Sequence, residues 1–406
     1  MSMTGRGPLP RTWWSSEAPP PPNPVESDAA ARRLADVRRL PYPLVIGGRR
    51  VPVLGRARFY ACGITPYDTT HLGHAATFIW ADVAARVLRL AGAQVEVCRN
   101  ITDVDDHLLV EAKAMDVPWR SLATQQTYRF TRDMADLGVS QPTYEPRSYD
   151  HVEEVISLTA ELVERSLAYS RNGSVYFGGG DVHNGAGLDR AEAIALARDR
   201  GGHPDDPDKD DPLDAALWQR SIGDEPAWPS PWGPGRPGWH AECSAMALAT
   251  LGSSIDLHVG GADLAFPHHA YEAAQAEAYS GVRPFARAWM HVGTVMVNGQ
   301  KMAKSTGNLV LVHDLLERWP AGALRLLILS QRWDQDWDFA ESDLDHAANE
   351  LDGLWTRAAK PTGSYSTAAE VDAALLEDLD VARALRVAGE AGGQVLRDLI
   401  ALLGLH

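Results

Sequence analysis

The sequence predicts an α/β protein: a parallel, nucleotide-binding sheet built in two halves, split by an insertion and followed by a helical domain. Three features predict it. Residues 56–101 run strand, helix, strand; residues 178–238 are rich in Gly, Pro and Asp; and from Leu311 onward the apolar spacing is mostly helical. A βαβ crossover of this kind predicts a Rossmann-like sheet that takes its ligand at the carboxyl ends of its strands.

The elements follow in order. Residues 1–55 read as an irregular N-terminal arm, with Trp13-Trp14, the run Pro19 to Pro22 and a short helix near 29–39. Residues 56–62 form a strand that runs into a loop at Gly63. Phe78, Val83, Val87 and Leu88 fit a helical period across residues 71–90. Residues 95–98 are a second buried strand, followed by Asn100-Ile101-Thr102-Asp103. Residues 106–170 are helical in several pieces. Asn172-Gly173 is a tight-turn signal before a strand at 174–177. A helix near 190–198 lies within the insertion. The sheet resumes with a helix from about 240, a strand at 255–259, a helix from about 268 and a last strand at 287–297. The expected division is an arm at 1–55, the first sheet half at 56–140, an inserted connective region at 141–238, the second half at 239–310 and a helical domain at 311–406.

Composition narrows the function classes. The chain has 406 residues, 45% of them hydrophobic and 23% charged, as in ordinary soluble domains, and room for two or three of them. No apolar run is long enough to span a bilayer, and the N-terminus lacks the basic head and apolar stretch of a secretory signal. Three cysteines make no disulfide framework, which fits the cytoplasm. A net charge of −16 repels a polyanion such as tRNA.

Two short segments carry phosphate chemistry. In Thr70-His71-Leu72-Gly73-His74, two imidazoles lie three apart on the first turn of a helix, whose N-terminus favours anions. In Lys301-Met302-Ala303-Lys304-Ser305, two ammonium groups and a hydroxyl sit between Asn298-Gly299-Gln300 and Thr306-Gly307-Asn308. Taken singly, the first could be a polar helix start and the second a solvated basic turn. Together, in this order, they resemble the two ATP-handling signatures of class I aminoacyl-tRNA synthetases. Ala303 replaces the serine commoner in that family. The resemblance implies that a carboxylate attacks the α-phosphate of ATP, with His71, His74, Lys301 and Lys304 stabilising the transition state and the leaving pyrophosphate.

The cysteines add a second signal. Cys62 ends a strand; Cys243 lies in Gly238-Trp239-His240-Ala241-Glu242-Cys243; His268 follows in Phe266-Pro267-His268-His269, with Glu272 one helical turn on. Two thiols and an imidazole make a zinc-type ligand set, although spacing alone leaves open that the thiols are simply buried. Cys98 has no such context and is expected in the core. Cys-Gly-Ile-Thr, Gly-Trp-His-x-Glu-Cys and Phe-Pro-His-His resemble cysteinyl-tRNA synthetase. That resemblance implies one Zn²⁺ per chain on Cys62, Cys243 and His268, with Glu272 matching the synthetase's further ligand, and a substrate cysteine bound through its sulfur. It also implies Mg²⁺ with ATP. By the same resemblance the amino acid and adenylate are bound by Cys62, Gly63, Ile64, Thr65, Thr77, Asn100, Ile101, Thr102, Trp239, Gly261, Ala262, Asp263 and Val295. Asp263 would take the ribose.

The resemblance covers roughly residues 56–335 and extends to a second family, the cysteine ligases of mycothiol biosynthesis, which join cysteine to the amine of glucosaminyl-inositol. Residues 62–77, with Pro66 and Ala75-Ala76-Thr77, look like the ligase version. Asp199-Arg200-Gly201-Gly202-His203-Pro204 resembles the ligase's Glu-Arg-Gly-Gly-Asp-Pro element with two changes. The residues after Ser305 leave room for a helical domain but none for an anticodon reader, and the charge is acidic. Glu272 points instead to the synthetase. The implied substrates are ATP, L-cysteine and glucosaminyl-inositol, with no tRNA and no membrane, on a monomer. A cysteinyl-tRNA synthetase, a ligase for another amine and an inactive binding paralogue are the alternatives.

Overall fold

The computed structural model describes residues 43–51, 55–67, 70–303, 306–360 and 365–406. The expected arm and its helix up to residue 42, and Lys304 and Ser305 of the basic segment, lie outside the described residues.

The chain opens with a hairpin of β1 (Leu44–Ile46) and β2 (Arg49–Val51). The first sheet half follows: β3 (Arg56–Ile64), α1 (Leu72–Leu90), β4 (Gln94–Ile101), α2 (Asp106–Ala114) and α3 (Trp119–Asp136). The next segment holds α4 (Val152–Glu164), β5 (Ala168–Arg171), β6 (Ser174–Phe177), α5 (Arg190–Asp199), β7 (Ala215–Arg220) and β8 (Gly235–Pro237). The second half brings α6 (Trp239–Leu251), β9 (Ile255–Gly261), α7 (Ala270–Ser280), β10 (Ala286–Val292), β11 (Val295–Val297) and β12 (Gln300–Lys301). Then come α8 (Ala321–Leu329), β13 (Trp337–Asp338), α9 (Glu341–Ala358), α10 (Tyr365–Leu376), α11 (Val381–Ala391) and α12 (Gly393–Leu403).

The central sheet has the order β10-β9-β3-β4 and is parallel throughout. The chain enters at β3, moves to one side for β4 and returns to the other for β9 and β10. The strand order therefore reverses beside β3, which is where an open α/β sheet forms its ligand crevice. The period-2 alternation of β3 sorts its side chains between two layers. Phe59 and Ala61 join the core packed around α1, whereas Tyr60 and Cys62 join the cluster around α6 with Cys98 and Cys243. Cys98 is thus core, and burial pushes its thiol up to about 12.

β5 to β8 form a separate antiparallel sheet with its own apolar core, including Val155, Val175, Leu217 and Trp218. Asn172 and Gly173 both adopt positive φ in the β5–β6 turn, as a two-residue hairpin requires. The C-terminal helices share one core with α1, running from Leu44 to Leu405.

Two expected elements differ in form. Residues 287–297 form two strands in different sheets, β10 and β11. The break is at Gly293, whose N–H donates to Trp333 O at 2.8 Å and where a Cβ would lie 2.1 Å from Gln335 O. The helix expected from about 268 becomes regular at Ala270. Before it, Phe266 is extended (φ −141°, ψ 138°), because a residue preceding proline is driven out of the helical region.

Candidate functional site

The crevice at the carboxyl ends of β3 and β9 is a cavity of about 790 Å³. From the first half it is lined by Cys62, Gly63, Ile64, Thr65, His71, His74, Thr77, Asn100 and Thr102. From the second half it takes Trp239, Cys243, Gly261, Ala262, Asp263, His268, Val295 and Lys301. Ile101 is buried beside the cavity without lining it; its N–H donates to Pro146 O at 2.9 Å. Glu272 is fully buried behind the cavity wall.

At the base, ligand atoms of Cys62, Cys243, His268 and Glu272 all lie within 4.8 Å of one another, and all four residues are buried. Gly63 makes the strand end possible. Its N–H donates to Asn100 Oδ1 at 2.9 Å, and a Cβ there would overlap Asn100 O at 1.6 Å. Asn100 Nδ2 in turn donates to Cys243 Sγ at 3.3 Å. Glu272 is gripped from both sides: Oε1 meets His268 Nε2 at 2.6 Å and Cys62 Sγ at 3.2 Å, while Oε2 meets His258 Nε2 at 2.7 Å. His240 pairs with Nδ1 of His268 at 2.8 Å, turning Nε2 toward Glu272, and the Trp239 ring stacks over His268 at 4.0 Å. Outer partners of this sort fix the orientation of a ligating imidazole.

The electrostatics match the geometry. Burial pushes the Cys62 thiol well up, helped by Cys243 and Glu272. Burial also raises Cys243, but the Cys62 thiol and His268 outweigh it and bring Cys243 down to about 7. Burial opposes charge on His268, yet Glu272 and Cys243 lift it to about 10; burial opposes charge on Glu272, yet His268 and His258 hold it well below the usual range. Two soft sulfur donors, an imidazole and a carboxylate in a dry pocket suit zinc. His258 and His269, with Cys62 and Glu272, form a second overlapping set of the same kind.

At the rim, His71 caps α1. Its Nδ1 accepts from Gly73 N–H at 3.1 Å, and His74 Nδ1 accepts from His71 N–H at 3.4 Å. The rings stack at 3.9 Å. Gly73 permits this, since a Cβ there would press on the His71 ring at 3.0 Å. With both Nδ1 atoms accepting, each ring in its neutral form carries its proton on Nε2. Burial, then His71, hold His74 well below the usual imidazole range, so it is neutral. Lys301 Nζ reaches Asp263 Oδ2 at 2.6 Å. Gly261 lets Asp263 fold back, as a Cβ there would lie 2.6 Å from Asp263 Oδ1.

The structure adds residues that sequence reasoning missed as site members. Tyr67, His107, Asp199 and Met302 line the cavity, and the Tyr67 and His107 rings lie 5.7 Å apart. His258 joins the cluster base because Leu257 and Val259 face the α1 core, which turns the residue between them the other way. Nothing in the local sequence around His258 or His107 singles them out.

The profile described as tRNA synthetases class I (C) catalytic domain matches residues 51–349. A Frankia casuarinae protein named L-cysteine:1D-myo-inositol 2-amino-2-deoxy-alpha-D-glucopyranoside ligase is 42% identical over 352 residues, covering 84% of this chain and 75% of that one. A cysteine–tRNA ligase of Geobacter sulfurreducens is 42% identical over 304 residues, 74% of this chain and 62% of its own. Mycobacterium tuberculosis methionyl-tRNA synthetase bound by methionyl-adenylate superposes with a TM-score of 0.62 at 18% identity, over 84% of this chain and 82% of that one, which shows the shared fold. With its parallel sheet, its cavity at the strand ends and a profile match over most of its length, this chain belongs to the family of class I (C) tRNA synthetase catalytic domains.

Proposed function

We propose that this chain is an ATP-dependent ligase that activates L-cysteine as cysteinyl-adenylate and transfers it to the amine of glucosaminyl-inositol, releasing AMP and pyrophosphate. The observation that carries the reading is one cavity lined both by the thiol–imidazole cluster and by His71, His74 and Lys301. The ligase names of close relatives support the acceptor.

Cys62, Cys243 and His268, with Glu272 as a fourth donor, would hold zinc, which when bound offers a soft seat for a substrate thiolate and a poor one for a hydroxyl. Trp239 covers the amino acid, and the Thr65–Thr102 hydroxyl pair, 2.8 Å apart, lies beside it. The substrate carboxylate oxygen attacks the α-phosphorus as the bond to the β-phosphate oxygen breaks. Nε2–H of His71 and of His74 donates to the phosphate oxygens as their charge grows, and Lys301 and Lys304 neutralise the leaving pyrophosphate; Mg²⁺ bound with ATP would add to that neutralisation. Asp263 accepts from the ribose hydroxyls, while Gly261, Thr77, Asn100 and Val295 line the pocket of the cysteinyl-adenylate. The acceptor enters past Tyr67 and His107. Its neutral amine attacks the acyl carbonyl, the bond to the phosphate oxygen breaks, AMP leaves, and the ammonium proton is lost to solvent.

Among the described residues no helix is long and apolar enough to cross a membrane, and all three cysteines are unpaired. The same reading makes the enzyme a cytoplasmic monomer. The position of Glu272 in the cluster favours a second reading, a cysteinyl-tRNA synthetase. The test is cysteine-dependent ATP–pyrophosphate exchange, followed by offering glucosaminyl-inositol or tRNA to the activated enzyme. The ligase reading expects exchange and an amide product with the aminosugar; aminoacylated tRNA instead would establish the second reading, and absence of exchange would end both.

A further inference from the structure

Asp263 is where the insertion meets the nucleotide site. Its Oδ2 accepts from Lys301 Nζ at 2.6 Å and also from Arg200 Nη1 at 2.9 Å. The two cations are mounted differently. Lys301 lies on the two-residue strand β12, which leads into the basic segment, and its ammonium is a mobile point charge. Arg200 is the C-cap of α5. That helix stops sharply: Gly202 N–H donates to Ala197 O at 2.7 Å, Gly201 adopts φ +75°, and a Cβ at 202 would lie 2.8 Å from Ala197 O. Lys209 Nζ donates to Gly202 O and secures the turn. The Arg-Gly-Gly run thus ends a helix so that Asp199 faces the cavity and Arg200 reaches Asp263.

During adenylate formation Lys301 is needed at the phosphates. Arg200 is then the cation that stays on Asp263. We propose that Arg200 is a positioning residue of the nucleotide site: it keeps Asp263 aimed at the ribose hydroxyls while Lys301 serves the pyrophosphate. The inserted region thereby contributes to ribose recognition, which the sheet alone would otherwise supply. This rests on the reading above that Asp263 takes the ribose. The charge balance agrees. Burial raises the Asp263 carboxyl, but Lys301 and Arg200 bring it below its usual range, so it accepts and does not donate.

The test compares wild type, Arg200→Ala, Arg200→Lys and Asp263→Asn. Binding of ATP and of 2′-deoxy-ATP is measured by calorimetry, and KM for ATP and kcat by cysteine-dependent exchange. The expected result is a wild-type preference for ATP over 2′-deoxy-ATP that falls about tenfold in Arg200→Ala, with KM rising more than kcat falls. Arg200→Lys should recover part of the preference, and all variants should keep the wild-type zinc content and melting temperature. An undiminished preference in Arg200→Ala would overturn the inference and leave Asp263 as the ribose residue. An undiminished preference in Asp263→Asn would overturn both the role of Asp263 and the inference built on it.

Discussion

At the scale of single residues, function concentrates in a few atoms whose neighbours fix their protonation and aim. Cys243 is the clearest case, with a thiol drawn down to about 7 against the pull of burial. Cys243→Ala should lose zinc and cysteine binding together, read by metal analysis and by calorimetry; a variant that binds cysteine without metal would contradict the cluster's role. A soft-donor seat also predicts that serine is activated at least ~10⁴-fold less efficiently than cysteine, measured as kcat/KM in exchange. Cys62, Cys243 and His268 were legible in the sequence as a candidate ligand set, which the structure brings together with Glu272. Their companion His258 was not, because a single histidine in a β-strand carries no spacing signal; only the fold brings its Nε2 to 2.7 Å from Glu272.

At the scale of elements, α1 shows how one structural device serves two ends. His71 caps the helix and also lines the cavity, where the proposed reading puts the phosphates. His71→Ala should therefore cost about 1 kcal/mol in denaturant unfolding, the usual worth of a cap. It should slow exchange by about 10²- to 10³-fold, the usual cost of a lost oxyanion donor. A rate loss no larger than the cap accounts for would reduce His71 to a structural residue. Helix α1 and strands β3, β4 and β9 were readable because their periodicity is local. The run at 287–297 was not read correctly: its β-type composition is continuous, and only the approach of the distant Gln335 backbone to Gly293 splits it. The function of the Asp-Arg-Gly-Gly element was likewise invisible along the chain, since Asp263 lies 63 residues beyond Arg200.

At the scale of the whole molecule, the catalytic sheet and the C-terminal helices are joined by a buried ion cluster. Asp82 on α1 pairs with Arg86 at 2.9 Å and with Arg325 on α8 at 2.9 Å. Both arginines also donate to the last carbonyls of α12, Arg86 to Leu402 O and Arg325 to Leu403 O. Burial raises the Asp82 carboxyl, but Arg86 and Arg325 override it and bring it down to about 2. A depressed carboxylate contributes its full stability above its unfolded value near 4 and loses it as pH falls through about 2. That contribution is about 2 kcal/mol. Asp82→Asn should leave two buried guanidinium groups without a counter-ion, at a cost of about 3 to 5 kcal/mol. It should also remove this part of the acid sensitivity. Urea unfolding at pH 7 and at pH 3 checks both; equal losses at the two pH values would deny Asp82 its ionised role.

Sequence alone determined the chemistry on offer. Residue types and local periods point to a parallel nucleotide-binding sheet, a helix start with two imidazoles, and a candidate soft ligand set spread over more than two hundred positions. Tertiary structure decided which of these groups meet. The reversal of strand order beside β3 places the ends of β3 and β9 at one crevice, and the alternation of β3 turns Cys62 toward Cys243. The C-terminal end of α5 delivers Arg200 to Asp263. Side-chain chemistry and secondary-structure period are properties of short segments and can be read from them, whereas distances between remote residues arise only when the chain buries its apolar surface in one particular packing.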